Sequence, residues 1–575
     1  MERETDTQRT KRENEGIQKM EEYYSRIFPS YKEIIEALKE PLPCTFRVTP
    51  GPWSSILKEE LKNYKLIQEV PWGEGIYKID LSRKDLSTRG IKGNAKALDV
   101  DELQKTHLFL KNHSGTSAIT RQEAVSMLPV FALDVQPDSS VLDMCASPGS
   151  KSSQILEILS EEGTLICNDI NSRRVAQLVK QTKRFMHPGL VITCNDATVY
   201  PRCGITPDRV LCDVPCSGDG TIRKNRHIFQ KWGIKEFIGL FQVQKRILKR
   251  GLDMLSSDGI LVYSTCSLNP VENEMVLLSV LEERPDVEIV PFEVEGLIMH
   301  PGLEESKIIA ALEYADIELK IQRCKYREDI KNARRILPMD QNTGGFFIAK
   351  LKKKTKTNAI LEQKKEANST NLIRGEKNID ESYFYWVDQE RRKIIEEQWG
   401  KSGLSFISKT LHFKNVYGIT NKSLEVLVRS PENLRIVFAG CRLFSVFGRE
   451  DKEKIENNRW RITYEGIRNH KIKTEKVLEV TSLRLLGILT DRVDEEIQKK
   501  YKKGIFVLSA SDENIEVAVP FTFNKSEIEV LVEKDQKEAL IDALKIKMFH
   551  RSKETGKTEE EESKENTQSV KVTSS

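Results

Sequence analysis

No stretch of this chain approaches the roughly 20 consecutive apolar residues that a membrane-spanning helix requires. The opening Met1-Glu2-Arg3-Glu4-Thr5-Asp6 also lacks the apolar core of a signal peptide. A soluble protein of an intracellular, reducing compartment with no membrane partner is expected. Only ten of the 575 residues are cysteine, too sparse a set for a disulfide scaffold in so long a chain. Cys167, Cys194 and Cys212 lie inside apolar runs, where a free thiol serves as a small core residue. Metal-ligand spacing is missing as well. Cys212 and Cys216 form C-x3-C, but no second pair or His-x3-His follows, and the eight histidines are scattered. No metal is expected. Charge of one sign is scarce too, +4 net from 91 Lys and Arg against 87 Asp and Glu. The total therefore neither demands nor excludes a nucleic acid, which a basic face would decide.

What the chain does have is length enough for three or four domains of about 150 residues each. Residues 1–20 are almost wholly polar and are expected to form a flexible polar arm or a solvated helix. Apolar and aromatic residues return from Tyr23, including Pro41-Leu42-Pro43-Cys44-Thr45-Phe46-Arg47-Val48, so a folded N-terminal region is set at 21–113. Thr120 followed three positions on by Glu123 predicts a capping box opening a helix over Arg121–Leu128. From there β-rich runs at Ser140–Met144, Thr164–Asn168, Leu190–Cys194, Arg209–Val214 and Ile260–Ser264 alternate with helical stretches. That alternation predicts an α/β domain with a parallel, doubly wound sheet over 114–352. Gly344-Gly345-Phe346-Phe347-Ile348-Ala349 reads as its closing strand. A polar linker at 353–382, a second compact β-rich domain at 383–549 and a disordered tail at 550–575 complete the expected order.

Two cysteines fifty positions apart carry the chemistry. Cys216 in Asp213-Val214-Pro215-Cys216-Ser217-Gly218-Asp219-Gly220 and Cys266 in Ser264-Thr265-Cys266-Ser267 each follow an apolar strand-like run. A strand end of that kind faces the ligand crevice of an open α/β sheet, and a thiolate there can add to an electrophilic carbon. Asp143-Met144-Cys145-Ala146-Ser147-Pro148-Gly149-Ser150-Lys151 reads as strand, tight turn and helix start, which aims backbone N–H groups at a cofactor. With a single glycine it is not a dinucleotide fingerprint. Asp169 ends the next strand, where it could hold ribose hydroxyls, and Asp196 ends the one after, where it could face an adenine ring. Three successive strand ends of this chemistry point to an adenosyl cofactor.

Together with Arg335-Ile336-Leu337-Pro338 and Gly344-Gly345-Phe346-Phe347, these segments closely resemble the Sun-type RNA cytosine-5 methyltransferases over Ser114–Lys352. Arg121–Met127, Arg223-Lys224-Asn225 and Pro41-Leu42-Pro43 are most similar to the eukaryotic tRNA branch. The resemblance implies a Rossmann-like core, S-adenosylmethionine as cofactor, tRNA as partner, and 5-methylcytosine as product through a covalent adduct at C6 of the base. It implies that Cys266 is the nucleophile and Cys216 the residue that releases the product. Asp213 and Lys151 would steady the base, and Cys145, Ala146, Ser147, Pro148, Gly149, Ser150 and Lys151, with Asp169, Asp196 and Asp213, would hold the cofactor. Ser147 stands where alanine is common in the family.

The target base must leave its stack to be reached, so RNA-gripping parts are expected outside the core. An N-terminal RNA-binding region and a C-terminal PUA-like domain are implied, the latter around Trp460-Arg461-Ile462-Thr463-Tyr464-Glu465-Gly466-Ile467 with Arg435, Arg442, Arg449 and Arg459 near it. A ribosomal RNA substrate and a binding or assembly factor with dispensable methylation are the alternatives. The absence of a long charged N-terminal extension favours tRNA. A monomer is expected, and Lys350–Lys356 together with the resemblance implies the nucleus, nucleolus included.

Overall fold

The computed structural model describes residues 6–354 and 384–545, apart from 52, 88–98, 116, 315–324, 410–412, 447–459, 469–475, 491–496, 498–503, 513–514, 525–526, 533, 535 and 539. The expected tail, nearly all of the expected linker, Arg449 and Arg459 lie outside the described residues.

Four strands, β1 (Pro43–Val48), β2 (Gln68–Glu69), β3 (Ile76–Ser82) and β4 (Ile119–Arg121), form a small sheet in the order β2-β3-β1-β4. The expected helix over Arg121–Leu128 is not there. Thr120 sits in β4 opposite Arg47, and the α-helix begins only at Leu128. Pairing with β1 outcompetes the local cap, which leaves Glu123 to face the site described below.

The core sheet is built where the sequence has its apolar runs: β5 (Ser140–Asp143), β6 (Thr164–Asn168), β7 (Leu190–Thr193), β8 (Arg209–Asp213) and β9 (Ile260–Thr265). Strands of a sheet covered on both faces read as such runs. Their side chains alternate between two cores, with Leu142, Ile166, Val191 and Val210 on one face and Val141, Leu165, Ile192 and Leu211 on the other. β10 (Val287–Val290), β11 (His300–Pro301), β12 (Arg334–Ile336) and β13 (Phe346–Lys353) add the antiparallel flank. This is a Rossmann-like α/β fold. The chain winds from β5 outward to β7, then returns through β8 to β9 on the other side. The reversal falls between β5 and β8, and in open α/β sheets that switch point is where ligands bind, outside the C-terminal strand ends. Asp143 and Asp213 are those two ends.

Of the two forms expected for the opening segment, flexible arm or solvated helix, its described residues take the helix, α1 (Asp6–Tyr24), followed by α2 (Tyr31–Lys39), but one face of α1 is buried rather than solvated. Buried Gly16, Met20, Tyr23, Tyr24 and Ile27 recur at helical spacing along one face. That face packs on the catalytic core, and Arg226 pairs with Glu13 at 2.6 Å. Farther along, β14 (Tyr385–Trp386), β15 (Ser405–Ser408), β16 (Asn415–Ile419), β17 (Ile436–Ala439), β18 (Cys441–Val446) and β19 (Trp460–Ile462) follow in sequence. Five of them make a separate sheet, but β17 pairs with β7 and covers the free edge of the core sheet. The last four strands, Val477–Glu479, Gly504–Asp512, Ile515–Asn524 and Glu527–Val530, form a fourth sheet. Among the described residues, no helix is long and apolar enough to cross a membrane.

Candidate active site

At the end of β5 the chain turns through Met144 to Gly149, where Gly149 adopts a φ of 108° that side-chain-bearing residues rarely take. The helix Ser150–Leu156 starts at once. Asp143 is buried, and the Ser152 hydroxyl donates to its Oδ2 at 2.8 Å. Burial pushes the carboxyl up to about 7, against the Ser152 hydrogen bond and with the nearby Asp213 charge adding to the rise. Lys151 reaches across the switch point to Asp213 Oδ2 at 2.7 Å and to Ser126 Oγ at 2.9 Å. Burial opposes its charge, but the Asp213 carboxylate outweighs that and holds the ammonium above its ordinary value. Asp213 Oδ1 accepts from Ser264 Oγ at 2.8 Å, so both carboxylate oxygens are tied down.

The two cysteines meet. Cys216 Sγ and Cys266 Sγ lie 3.2 Å apart, a hydrogen-bonded thiol pair. The Cys216 thiol is raised well above its ordinary value, first by this hydrogen bond and then by burial. At this separation either sulfur can donate to the other. The loops around them leave no spare room: a Cβ on Gly220 would stand 2.2 Å from Gly345 O and 2.8 Å from Cys266 O. Gly220 N–H in turn donates to Cys266 O at 3.0 Å, and Gly345 N–H donates to Gly220 O at 2.8 Å.

Behind the pair is a buried carboxylate that the sequence reading overlooked. Glu272 accepts from Ser217 N–H at 2.8 Å, Ser217 Oγ at 2.5 Å, Ser267 Oγ at 2.7 Å and Gln244 Nε2 at 3.1 Å. Ser217 and Ser267 directly follow Cys216 and Cys266, so one side chain ties both loops. Burial pushes Glu272 up to about 7, with Asp219 adding to the rise. Between its unfolded value near 4.5 and about 7 the native state therefore binds the extra proton, and its stability falls as pH rises across that window. Glu272→Gln removes this dependence. Urea unfolding from pH 4.5 to 7.5 should give a slope shallower by up to ~1.4 kcal/mol per pH unit, and an unchanged slope would show that Glu272 does not titrate there.

A cavity of about 160 Å³ opens beside these groups, lined by Glu123, Ser126, Asp143, Cys145, Ala146, Ser147, Pro148, Ser150, Lys151, Asp213 and Lys224. Asp143 Oδ1, Ser147 Oγ and Glu123 Oε1 are buried with no hydrogen-bond partner. Orphaned acceptors of this kind call for a ligand, and an amino-acid end bearing an ammonium group suits them. Asp169 and Asp196 do not line this cavity. Asp169 is buried at the end of β6, accepting from Asn171 N–H at 2.9 Å with Arg174 3.3 Å away, and Asp196 caps the short turn 197–199 through Thr198 N–H at 2.8 Å. Cys167 and Cys212 are buried core thiols, whereas Cys194 at the end of β7 is partly exposed. Among the described residues no His, Cys, Asp and Glu group could hold a metal.

Arg223 joins two segments that the sequence had singled out separately. It donates to Pro41 O at 2.9 Å and to Thr343 O at 2.8 Å, pinning the Pro41-Leu42-Pro43 stretch beside the Gly344-Gly345 turn. Glu272 and Asp219 were the missed residues. The signal for Glu272 was its place in Val271-Glu272-Asn273-Glu274, where carboxylates sit against the wholly buried apolar helix Glu274–Leu281.

Residues 130–352 match the family described as 16S rRNA methyltransferase RsmB/F. The multisite-specific tRNA:(cytosine-C(5))-methyltransferase of Saccharomyces cerevisiae is 32% identical over 565 residues, spanning 84% of this chain and 79% of the yeast protein. The tRNA (cytosine(34)-C(5))-methyltransferase of Drosophila melanogaster is 29% identical over 515 residues, spanning 72% of this chain and 67% of the fly protein. Among solved structures, a methyltransferase homolog protein from Pyrococcus horikoshii is 28% identical, with 58% of this chain and 93% of that one covered and a TM-score of 0.44.

Proposed function

The chain belongs to the S-adenosylmethionine-dependent RNA cytosine-5 methyltransferases, and we propose that its substrate is tRNA and its nucleophile Cys266. The 3.2 Å thiol pair set beside the Lys151–Asp213 ion pair at the switch point of the sheet supports the chemistry, and the likeness to the yeast and fly tRNA methyltransferases supports the substrate.

Cytosine C5 is a poor nucleophile until something adds to C6. Cys266 gives its thiol proton to solvent, its thiolate forms a bond to C6, and the electron pair of the C5=C6 bond moves to C5. Asp213 accepts from the exocyclic amine, and the Lys151 ammonium against it faces the charge that develops on the ring. S-adenosylmethionine supplies the electrophilic methyl group that C5 receives. Once Cys266 is bonded to carbon, its hydrogen bond no longer suppresses ionisation of Cys216. That thiol can give its proton to solvent, take the proton from C5, and let the C5–H electron pair rebuild the double bond as the C6–S bond breaks, returning a thiolate to Cys266. Asp143 Oδ1 and Ser147 Oγ are the open acceptors that support a cofactor site along Cys145–Lys151. Asp169 and Asp196, at the next two strand ends, are assigned to the ribose and adenine.

RNA grip is assigned to the regions flanking the core. A second cavity, of about 530 Å³, is lined by Lys414, Arg442 and Arg461 with Glu465 and Glu529. It contains no thiol, and it supports an RNA-contacting, PUA-like role for the C-terminal sheets rather than a second reaction centre. Incubating the purified protein with equimolar total tRNA and ribosomal RNA and methyl-labelled S-adenosylmethionine tests the substrate. Label is expected in tRNA, recovered as 5-methylcytosine. Label confined to ribosomal RNA would overturn the tRNA assignment, and no label in either would leave a binding or assembly role.

A further inference from the structure

The N-terminal helix reaches the thiol loops. The Tyr23 hydroxyl donates to Asn269 Oδ1 at 2.8 Å, and the neighbouring Tyr24 hydroxyl donates to Asp219 Oδ2. Asn269 follows Cys266 by three positions and Asp219 follows Cys216 by three. Two adjacent side chains at one helix end thus hold corresponding points of two loops that lie 50 positions apart in the chain. Asp219 also joins the loops directly, accepting from Leu268 N–H at 2.8 Å, while Trp232 Nε1 donates to its Oδ2 at 3.2 Å.

All four partners, Tyr23, Tyr24, Asp219 and Asn269, are 0% exposed. Burial first, then the Asp219 charge, raises both phenols well above their ordinary value, so the hydroxyls stay protonated and remain donors. Phe28 extends the contact. Its ring lies 5.6 Å from the Arg335 guanidinium, whose Nη1 donates to Leu268 O at 2.8 Å.

We propose that Tyr23 and Tyr24 are positioning residues that fix the separation of the Cys216 and Cys266 thiols, with the N-terminal helix bracing both loops from behind. This rests on the assignment of those thiols to the reaction. A hydroxyl on a buried carboxylate and another on a buried amide resist rotation of the loops they hold, and misplacement of a reacting group by about 1 Å can cost up to 10²-fold in rate.

The test uses Tyr23→Phe, Tyr24→Phe and the double variant in the full chain, which remove the hydroxyls and keep the rings. Each single change should lower kcat roughly tenfold, and the double roughly a hundredfold, with KM for RNA and for S-adenosylmethionine within about twofold. A second readout needs no RNA. Diamide oxidises the two thiols to a disulfide while being reduced to its hydrazine, and closure of the Cys216–Cys266 pair, followed by mass spectrometry, should slow about fivefold or more in the double variant. Unchanged or faster closure overturns the proposal. So does a fall in kcat accompanied by raised KM values and loss of cooperative melting, since that would assign the tyrosines to folding alone. Slower closure with unchanged turnover would uphold the brace and instead remove the thiols from the reaction.

Discussion

Cys266→Ala is expected to abolish methyl transfer, with kcat falling by on the order of 10⁴-fold or more, because it removes the thiol assigned to add to C6 and make C5 nucleophilic. Cys216→Ala should fail differently. It keeps the nucleophile and loses the group that takes the C5 proton, so the enzyme should complete about one methyl transfer and then stay bonded to its RNA. A denaturing gel would reveal this as a slow band containing both protein and labelled RNA, absent in Cys266→Ala and in the double variant. A band in Cys266→Ala instead would reverse the two roles. The 3.2 Å separation makes the contrast sharp, since each thiol is within reach of whatever carbon the other attacks. Cofactor binding should survive all three substitutions, because neither cysteine lines the cavity beside Lys151.

The parts of this arrangement that sequence made visible are those whose signal is local. Strands buried on both faces need unbroken apolar runs, and β5 to β9 fall on the runs predicted for them to within a residue or two. The turn at Gly149 and the two cysteines follow such runs immediately, so their place at strand ends was readable. The thiol loops are held by contacts of another kind. Ser217 meets Glu272 across 55 positions, and Tyr24 meets Asp219 across 195. No periodicity encodes pairings of that range. The buried face of the N-terminal helix was hidden for a related reason. Its few apolar residues, Ile17, Met20, Tyr23 and Tyr24, stand amid a long polar run, so composition pointed to a solvated segment. The Thr120–Glu123 pattern misled because a helix cap competes with strand pairing, and the chain that fills β1 lies about 70 residues earlier.

Arg335 is the other residue whose removal should have a large effect, this time on stability. It is 1% exposed, and its partner Glu274 is 0% exposed. The guanidinium grips Glu274 through Nε at 2.7 Å and through Nη2, while Nη1 donates to Leu268 O at 2.8 Å. Forming such a pair contributes little net, because desolvation offsets attraction, but breaking it strands a charge with no water to solvate it. Arg335→Met should therefore cost about 3–5 kcal/mol, which for a cooperative unit of roughly 200 residues lowers Tm by about 10 °C. Calorimetry of the single and paired variants checks this. Adding Glu274→Gln should recover much of the loss, since a neutral amide can be buried where a lone carboxylate cannot. A loss below about 1 kcal/mol, or a paired variant no more stable than Arg335→Met, would mean that Glu274 finds another partner or is protonated in place. Because the Leu268 carbonyl belongs to the loop that carries Cys266, the recovered variant should regain its melting temperature before it regains its turnover.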